Sequence, residues 1–257
     1  MNIPMPQPAQ IELFILIFLR VSAIIVSLPL IGNREVPFRI KGALSLAATL
    51  LILPSVEYSL PSPSLLHLVV MMTGEVFIGL IIGFSGRLLF EGVQLAGQLI
   101  GFQMGFAIVN VVDPLTSSQV SIVAQLQNIF AILIFLSVNG HHAFLYSVAE
   151  SYRYVPPLGC HFSGELLMGI VALAKNVFIV AVKTGAPIIV LLLLTSAGLG
   201  VVARTVPQIN IFIVGFPLKI ALGLMAVGLS FPFFYHIMEN IFVDYGSTLR
   251  GLMKLMT

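Results

Sequence analysis

Few side chains in this sequence could do chemistry, and their spacing argues against a catalytic centre. His141 and His142 are adjacent, so on a helix they cannot share a face as the i, i+4 ligands of a metal-binding helix do. His67, His161 and His236 are isolated along the chain, and no HExxH, phosphate-loop or GxSxG pattern occurs. The single cysteine, Cys160, can form no internal disulfide, stands in no metal-ligand spacing and reads as filler. Asp113, Glu150, Glu239 and Asp244 fall near the ends of apolar stretches, where a solvated face explains them. The expectation is a protein that is not an enzyme, with no catalytic residue, metal site or cofactor.

What the sequence offers instead is charge inside apolar stretches. Glu75 lies mid-segment, where an ionised carboxylate costs several kcal/mol unless it is paired or faces water, so it requires a partner. Arg20, Lys175 and Lys183 pose the same problem with opposite sign. These four read as buried charges, with cations in excess: either the cations snorkel to an interface or another chain supplies acids.

Three further patterns could carry function. Gln94, Gly97, Gln98, Gly101 and Gly105 recur at helical spacing as one small and polar stripe, unsuited to lipid, and Gly79, Gly83 and Gly86 repeat the theme earlier. Such a stripe lets another backbone approach closely, either within the chain or on a different subunit. Next comes Gly105-Phe106-Ala107-Ile108-Val109-Asn110-Val111-Val112-Asp113-Pro114, an apolar run into a proline, read either as a capped helix end or as a loop that packs on protein or blocks a cavity. After Arg204, the run from Pro207, Gln208 and Asn210 through Phe212 and Gly215 to Pro217 and Lys219 places two prolines around an apolar stretch. It predicts a break between helices near membrane depth.

The elements that must position these residues follow from composition. Apolar residues make up 58% of the 257 positions and charged residues 9%, too little polar surface to coat a water-facing globule. In lipid the backbone must satisfy its own hydrogen bonds, and without period-2 alternation the apolar runs are helices rather than barrel strands. The predicted segments are Ile11 to Ile31, Ala43 to Val56, Leu65 to Phe90, Val93 to Val112, Ile122 to Val138, Leu166 to Val182, Pro187 to Val202 and Ile211 to Tyr235. Several are short, charged or interrupted by proline, which predicts hairpins and broken helices within one membrane-embedded domain over 1–257. The Pro-rich turn from Tyr154 to Gly159 separates an N-terminal portion, about 1–153, from C-terminal helices, about 165–257. Met1 to Gln10 lacks the basic region of a cleaved signal and reads as a retained leader. Arg34, Arg39, Lys41, Arg250 and Lys254 favour a cytoplasmic first loop and tail, and Tyr58, Tyr146, Tyr152, Tyr154, Tyr235 and Tyr245 stand where an interfacial belt would be. A formal charge of +2 with no basic run excludes nucleic acid as a partner.

On these residues two rivals from other classes remain. One is a stand-alone secondary transporter with an intramembrane site near Glu75 and Asn210; the other, a lipid-modifying membrane enzyme, lacks a cluster of acids or histidines at one depth.

The chain resembles the FliR/SctT family of flagellar and injectisome type III secretion. The resemblance rests on Leu19-Arg20 through Leu28-Pro29-Leu30 into Val36-Pro37, on Glu75 with Gly79 and Gly83, and on Gly101 to Pro114. Above all it rests on Pro207-Gln208-Ile209-Asn210 through Gly215-Phe216-Pro217-Leu218-Lys219, so that it runs along almost the whole chain. The resemblance implies an export-gate subunit of a bacterial inner membrane, in the flagellar basal body or in the injectisome counterpart of the same gate. It implies one copy packed with FliP-like and FliQ-like subunits in a hetero-oligomeric, pore-containing complex, wrapped by an FlhB-like subunit and crossed by unfolded protein substrates. By motif position it places a pore plug on Phe106 to Gln119, including Phe106, Ile108, Val109, Asn110, Val112, Asp113 and Pro114, and makes the glycine and glutamine stripe a subunit contact.

Overall fold

A computed structural model describes residues 8–28, 32, 36–56, 65–106, 121–157, 159, 163–208 and 210–257. The chain is all-α. Its elements are α1 (Pro8–Ser27), α2 (Phe38–Ile52) with a 3-10 turn at Leu53–Ser55, α3 (Leu65–Met104), α4 (Ile122–Ser137), α5 (Gly140–Tyr154), α6 (Gly164–Thr205) and α7 (Ile211–Lys254), with no strand among the described residues. α1, α2 with its 3-10 turn, α3, α6 and α7 are long and apolar enough to cross a membrane, and α4 with α5 adds a sixth span if that pair is counted as one broken crossing.

The clearest sign of an apolar surrounding is α2. Its buried positions, Lys41, Ser45, Thr49 and Ile52, are mostly polar and recur every fourth or third residue. The exposed side carries Phe38, Ile40, Leu44, Leu46, Leu50 and Leu51, with Phe38 and Leu51 each 81% exposed. This is the reverse of a water-facing helix, whose apolar stripe faces the core. The inward hydroxyls are satisfied locally, Ser45 donating to the Lys41 carbonyl at 2.8 Å and Thr49 to the Ser45 carbonyl at 2.7 Å. The Lys41 ammonium donates to the Gly32 carbonyl at 2.9 Å.

Two predicted gaps are absent and one predicted end lies further on. The expected gap after Phe90 lies inside α3, the one before Pro187 lies inside α6, and α7 runs past Tyr235 to Lys254 with Pro217 and Pro232 within it. A proline removes one backbone donor, whereas a full break in an apolar medium leaves several peptide groups unpaired, so the helix continues through it. α5 was not predicted as a helix, because its composition is too polar for an apolar span.

The described chain divides into two compact units that interleave in sequence: Met1–Leu88 with Asn139–Leu173 and Asp244–Thr257, and Leu89–Val138 with Ala174–Val243. The Tyr154 to Gly159 turn falls inside the first. In that unit α1 and α3 run in the same direction, Arg20 meeting Glu75 and Ser27 meeting Gly83. Gly79 and Gly83 make the approach possible. A methyl group on Gly79 would lie 2.5 Å from the Arg20 carbonyl and 2.7 Å from Ala23 Cβ, and one on Gly83 would lie 2.9 Å from the Ile24 carbonyl. Tyr245 reaches Ser85 at 3.0 Å between hydroxyls and stacks on Phe144. In the second unit Ile100, Met104, Val123, Ile188, Leu192 and Val227 form a buried core, with Phe90, Phe135 and Phe242 in mutual ring contact.

Candidate functional site

The most organised polar site is built around Arg20, which is fully buried on α1. Its Nε donates to Glu75 Oε2 at 2.6 Å and its Nη2 to Glu75 Oε1 at 2.9 Å, a two-pronged pairing that occupies both carboxylate oxygens. Nη1 donates to the Val155 carbonyl at 2.9 Å and, more weakly, to the Ser151 carbonyl and hydroxyl at 3.3 and 3.4 Å. These carbonyls belong to the C-terminal end of α5, where the helix dipole is negative; the Ser151 carbonyl also accepts from the Val155 N–H at 2.8 Å, whereas the Val155 carbonyl has no following helical turn to supply a donor. The Tyr152 ring lies 4.2 Å below the guanidinium carbon, and its hydroxyl donates to the Ile17 carbonyl at 3.3 Å. One side chain therefore neutralises an acid on α3 and caps α5. With each nitrogen bonded, the site is a clamp between three helices rather than an open place for a solute.

Sequence reasoning demanded a partner for Glu75 and for Arg20 but did not join them, and it missed Ser151 and Val155. A signal for α5 existed: Phe144, Val148, Tyr152 and Val155 recur at helical spacing and are all buried. Tyr152 and Tyr245 correct the belt expectation, since both are buried against polar partners of the chain. Lys175 and Lys183 are buried by nothing among the described residues of this chain itself. Both are exposed on α6, because the faces of α6 that pack inside the chain are those of Val180, Ala181, Thr184 and Ile188.

The stripe on α3 divides by neighbour. A methyl group on Gly97 would collide with the Ala124 Cα and lie 2.8 Å from its backbone nitrogen, and one on Gly101 would collide with the Ser121 hydroxyl, so these glycines serve the contact between α3 and α4 of the same chain. Gln98 is exposed beside Leu99 and Phe102, and Gln94 is half-buried. Gly105 ends the helix. It takes φ +95°, its N–H donates to the Phe102 carbonyl at 3.1 Å, and the Phe106 N–H reaches back to the Gly101 carbonyl at 3.1 Å. That is the paired bonding of a Schellman cap, and the left-handed φ is the reason for glycine. Phe106 packs against the core of the second unit. Ile108, Val109, Asn110, Val112, Asp113 and Pro114 lie outside the described residues, as do Cys160 and His161.

The proline motif forms one turn and one helix start. α6 ends at Thr205, Pro207 and Gln208 occupy the turn, and α7 begins at Ile211. Asn210 is the cap: its Oδ1 accepts from the Phe212 N–H at 3.1 Å, and its carbonyl accepts from Ile213 at 3.0 Å. Phe212 is 74% exposed, Gly215 is buried, Lys219 is half-buried, and Pro217 continues the helix instead of breaking it. The His141 and His142 rings lie with centroids 4.2 Å apart, tilted by 40°, at the start of α5.

Comparison with known proteins adds the following. A family model described as "Bacterial export proteins, family 1" matches residues 11–245. The chain is similar to the "Flagellar biosynthetic protein FliR" of Bacillus subtilis (strain 168), 37% identical with 94% of this chain and 95% of that protein covered. It is 30% identical to the protein of that name from Pectobacterium carotovorum subsp. carotovorum, with 92% and 90% covered. It is 28% identical to that from Escherichia coli (strain K12), over the same shares.

Proposed function

The chain belongs to the bacterial export proteins, family 1, and is a membrane-embedded component of the flagellar export apparatus; within it, we propose, the chain is a non-catalytic subunit of the gate itself. It packs with FliP-like and FliQ-like subunits, is flanked by an FlhB-like subunit, and lines and closes the inner-membrane pore of the flagellar basal body through which unfolded flagellar proteins leave. The observation that carries this reading is the length of apolar surface. α3, α6 and α7 have 40, 42 and 44 residues. At 1.5 Å per residue they are about 60–66 Å long, twice a hydrocarbon core of about 30 Å. Within Phe212–Lys254, only 17% of an apolar 18-residue stretch is buried inside the chain. One bilayer cannot cover such helices from end to end, so other polypeptides must take the remainder.

The rival transporter reading loses its groups: Glu75 is tied to Arg20 and the Asn210 side chain is tied to a backbone N–H. Extraction in mild detergent followed by weighing of the intact particle tests the proposal. Several unlike membrane chains are expected with each copy of this one; a lone chain, monodisperse in nanodiscs and moving a solute, would refute it. The closing role is assigned to Phe106 to Gln119 on the family resemblance. Deleting residues 106–110 should leave the complex assembled and make the membrane leaky to small ions, and unchanged conductance would remove that assignment.

A further inference from the structure

Lys175 and Lys183 lie about two turns apart on α6, with no hydrogen bond or ion pair to either ammonium among the described residues. Their neighbours Phe178, Ile179, Val182 and Val190 are exposed as well, so each charge stands in an uncovered apolar surface. Along α6 that exposure runs from Leu167 and Met168 to Val201 and Val202. Lipid phosphate is the first counter-ion to consider, and geometry decides against it. The lysines are about 12 Å apart along the axis of a helix about 63 Å long. A hydrocarbon slab about 30 Å thick covers about half of that length. Over the C-terminal half it leaves Lys175 and the apolar residues before it outside the slab, still needing cover. Over the middle or the N-terminal half it sinks one lysine about 12 Å below the headgroups, too deep for a snorkelling ammonium. No placement gives both ammoniums phosphate and all their apolar neighbours hydrocarbon.

We propose that the Lys175 and Lys183 face of α6 docks an apolar helix of an unlike subunit, which carries carboxylates about two turns apart, one opposite each lysine. The inference rests on the reading of this chain as one piece of a hetero-oligomeric gate and gives the chemistry of one contact within it. Excess cations in an otherwise apolar face also give the contact a register, since a partner helix slid by one turn leaves both charges unpaired.

The test uses the native complex. Carbodiimide coupling joins an amine to a carboxylate only at contact, and peptide mass spectrometry after coupling should find Lys175 or Lys183 joined to Asp or Glu within an apolar segment of an unlike chain. Links only to this chain, only to a second copy, or to nothing overturn the proposal. In parallel, the double variant Lys175→Glu, Lys183→Glu should lower the unlike chains recovered per copy of this chain about tenfold or more, while Lys175→Arg, Lys183→Arg stays within about twofold of native. Undiminished recovery with the reversed charges overturns the proposal, as does recovery of unlike chains with the native lysines that depends on added anionic phosphatidylglycerol, which would identify a headgroup contact. Failure of the gate reading looks different, because there the native chain itself purifies without unlike partners.

Discussion

At the scale of single residues, Arg20 and Glu75 decide whether the first unit holds together. Breaking a buried pair from one side leaves the other charge stranded, which costs about 3–5 kcal/mol. Glu75→Gln and Arg20→Ala should therefore each lower the thermal midpoint of the purified assembly and the amount of chain in the membrane. Replacing both, as Arg20→Met with Glu75→Leu, should recover more than half of the loss, apart from what α5 forfeits when its Val155 carbonyl loses its donor. A double variant no better than the worse single one would show that the cap on α5, rather than the pair, carries the stability. The need for a partner was legible, because a charge within apolar sequence demands one. Its identity was not, since Arg20 and Glu75 are 55 positions apart and only the parallel packing of α1 on α3 brings them together.

At the scale of elements, glycines set which helices touch. Gly97→Val should disrupt the contact between α3 and α4 before any subunit is involved, because the added atoms meet the backbone of Ala124. The loss should appear as faster proteolysis of this chain expressed without partners, and equal protease resistance would place the close contact elsewhere. Gly105→Ala should cost about 1 kcal/mol or more through its positive φ, and Asn210→Ala about 1 kcal/mol through the lost cap on α7. Both can be read as shifts in denaturant midpoint. The small and polar stripe on α3 was visible as a pattern, but which side of it meets this chain and which meets others was not. Periodicity fixes faces relative to one another and says nothing of what stands opposite.

For the whole molecule, the environment is written in the reversal of α2. Leu51→Asp, at a residue 81% exposed, would be nearly silent in a water-soluble protein, where surface changes stay within about 0.5 kcal/mol. Here it should cost about 2–3 kcal/mol if that face meets hydrocarbon, and the fraction of chain recovered in membranes should fall. Normal recovery would put the exposed side of α2 in water. Composition alone dictated a helical membrane protein, because apolar sequence so long can satisfy its backbone in no other way, and motifs scattered along the chain carried its kinship to export proteins. Tertiary structure alone decided that α3, α6 and α7 run unbroken, that Arg20 closes on Glu75 and the end of α5, and that Lys175 and Lys183 face outward. Hydrophobicity is a sum over residues and can be read along the chain, whereas pairing depends on which distant segments the helices bring side by side.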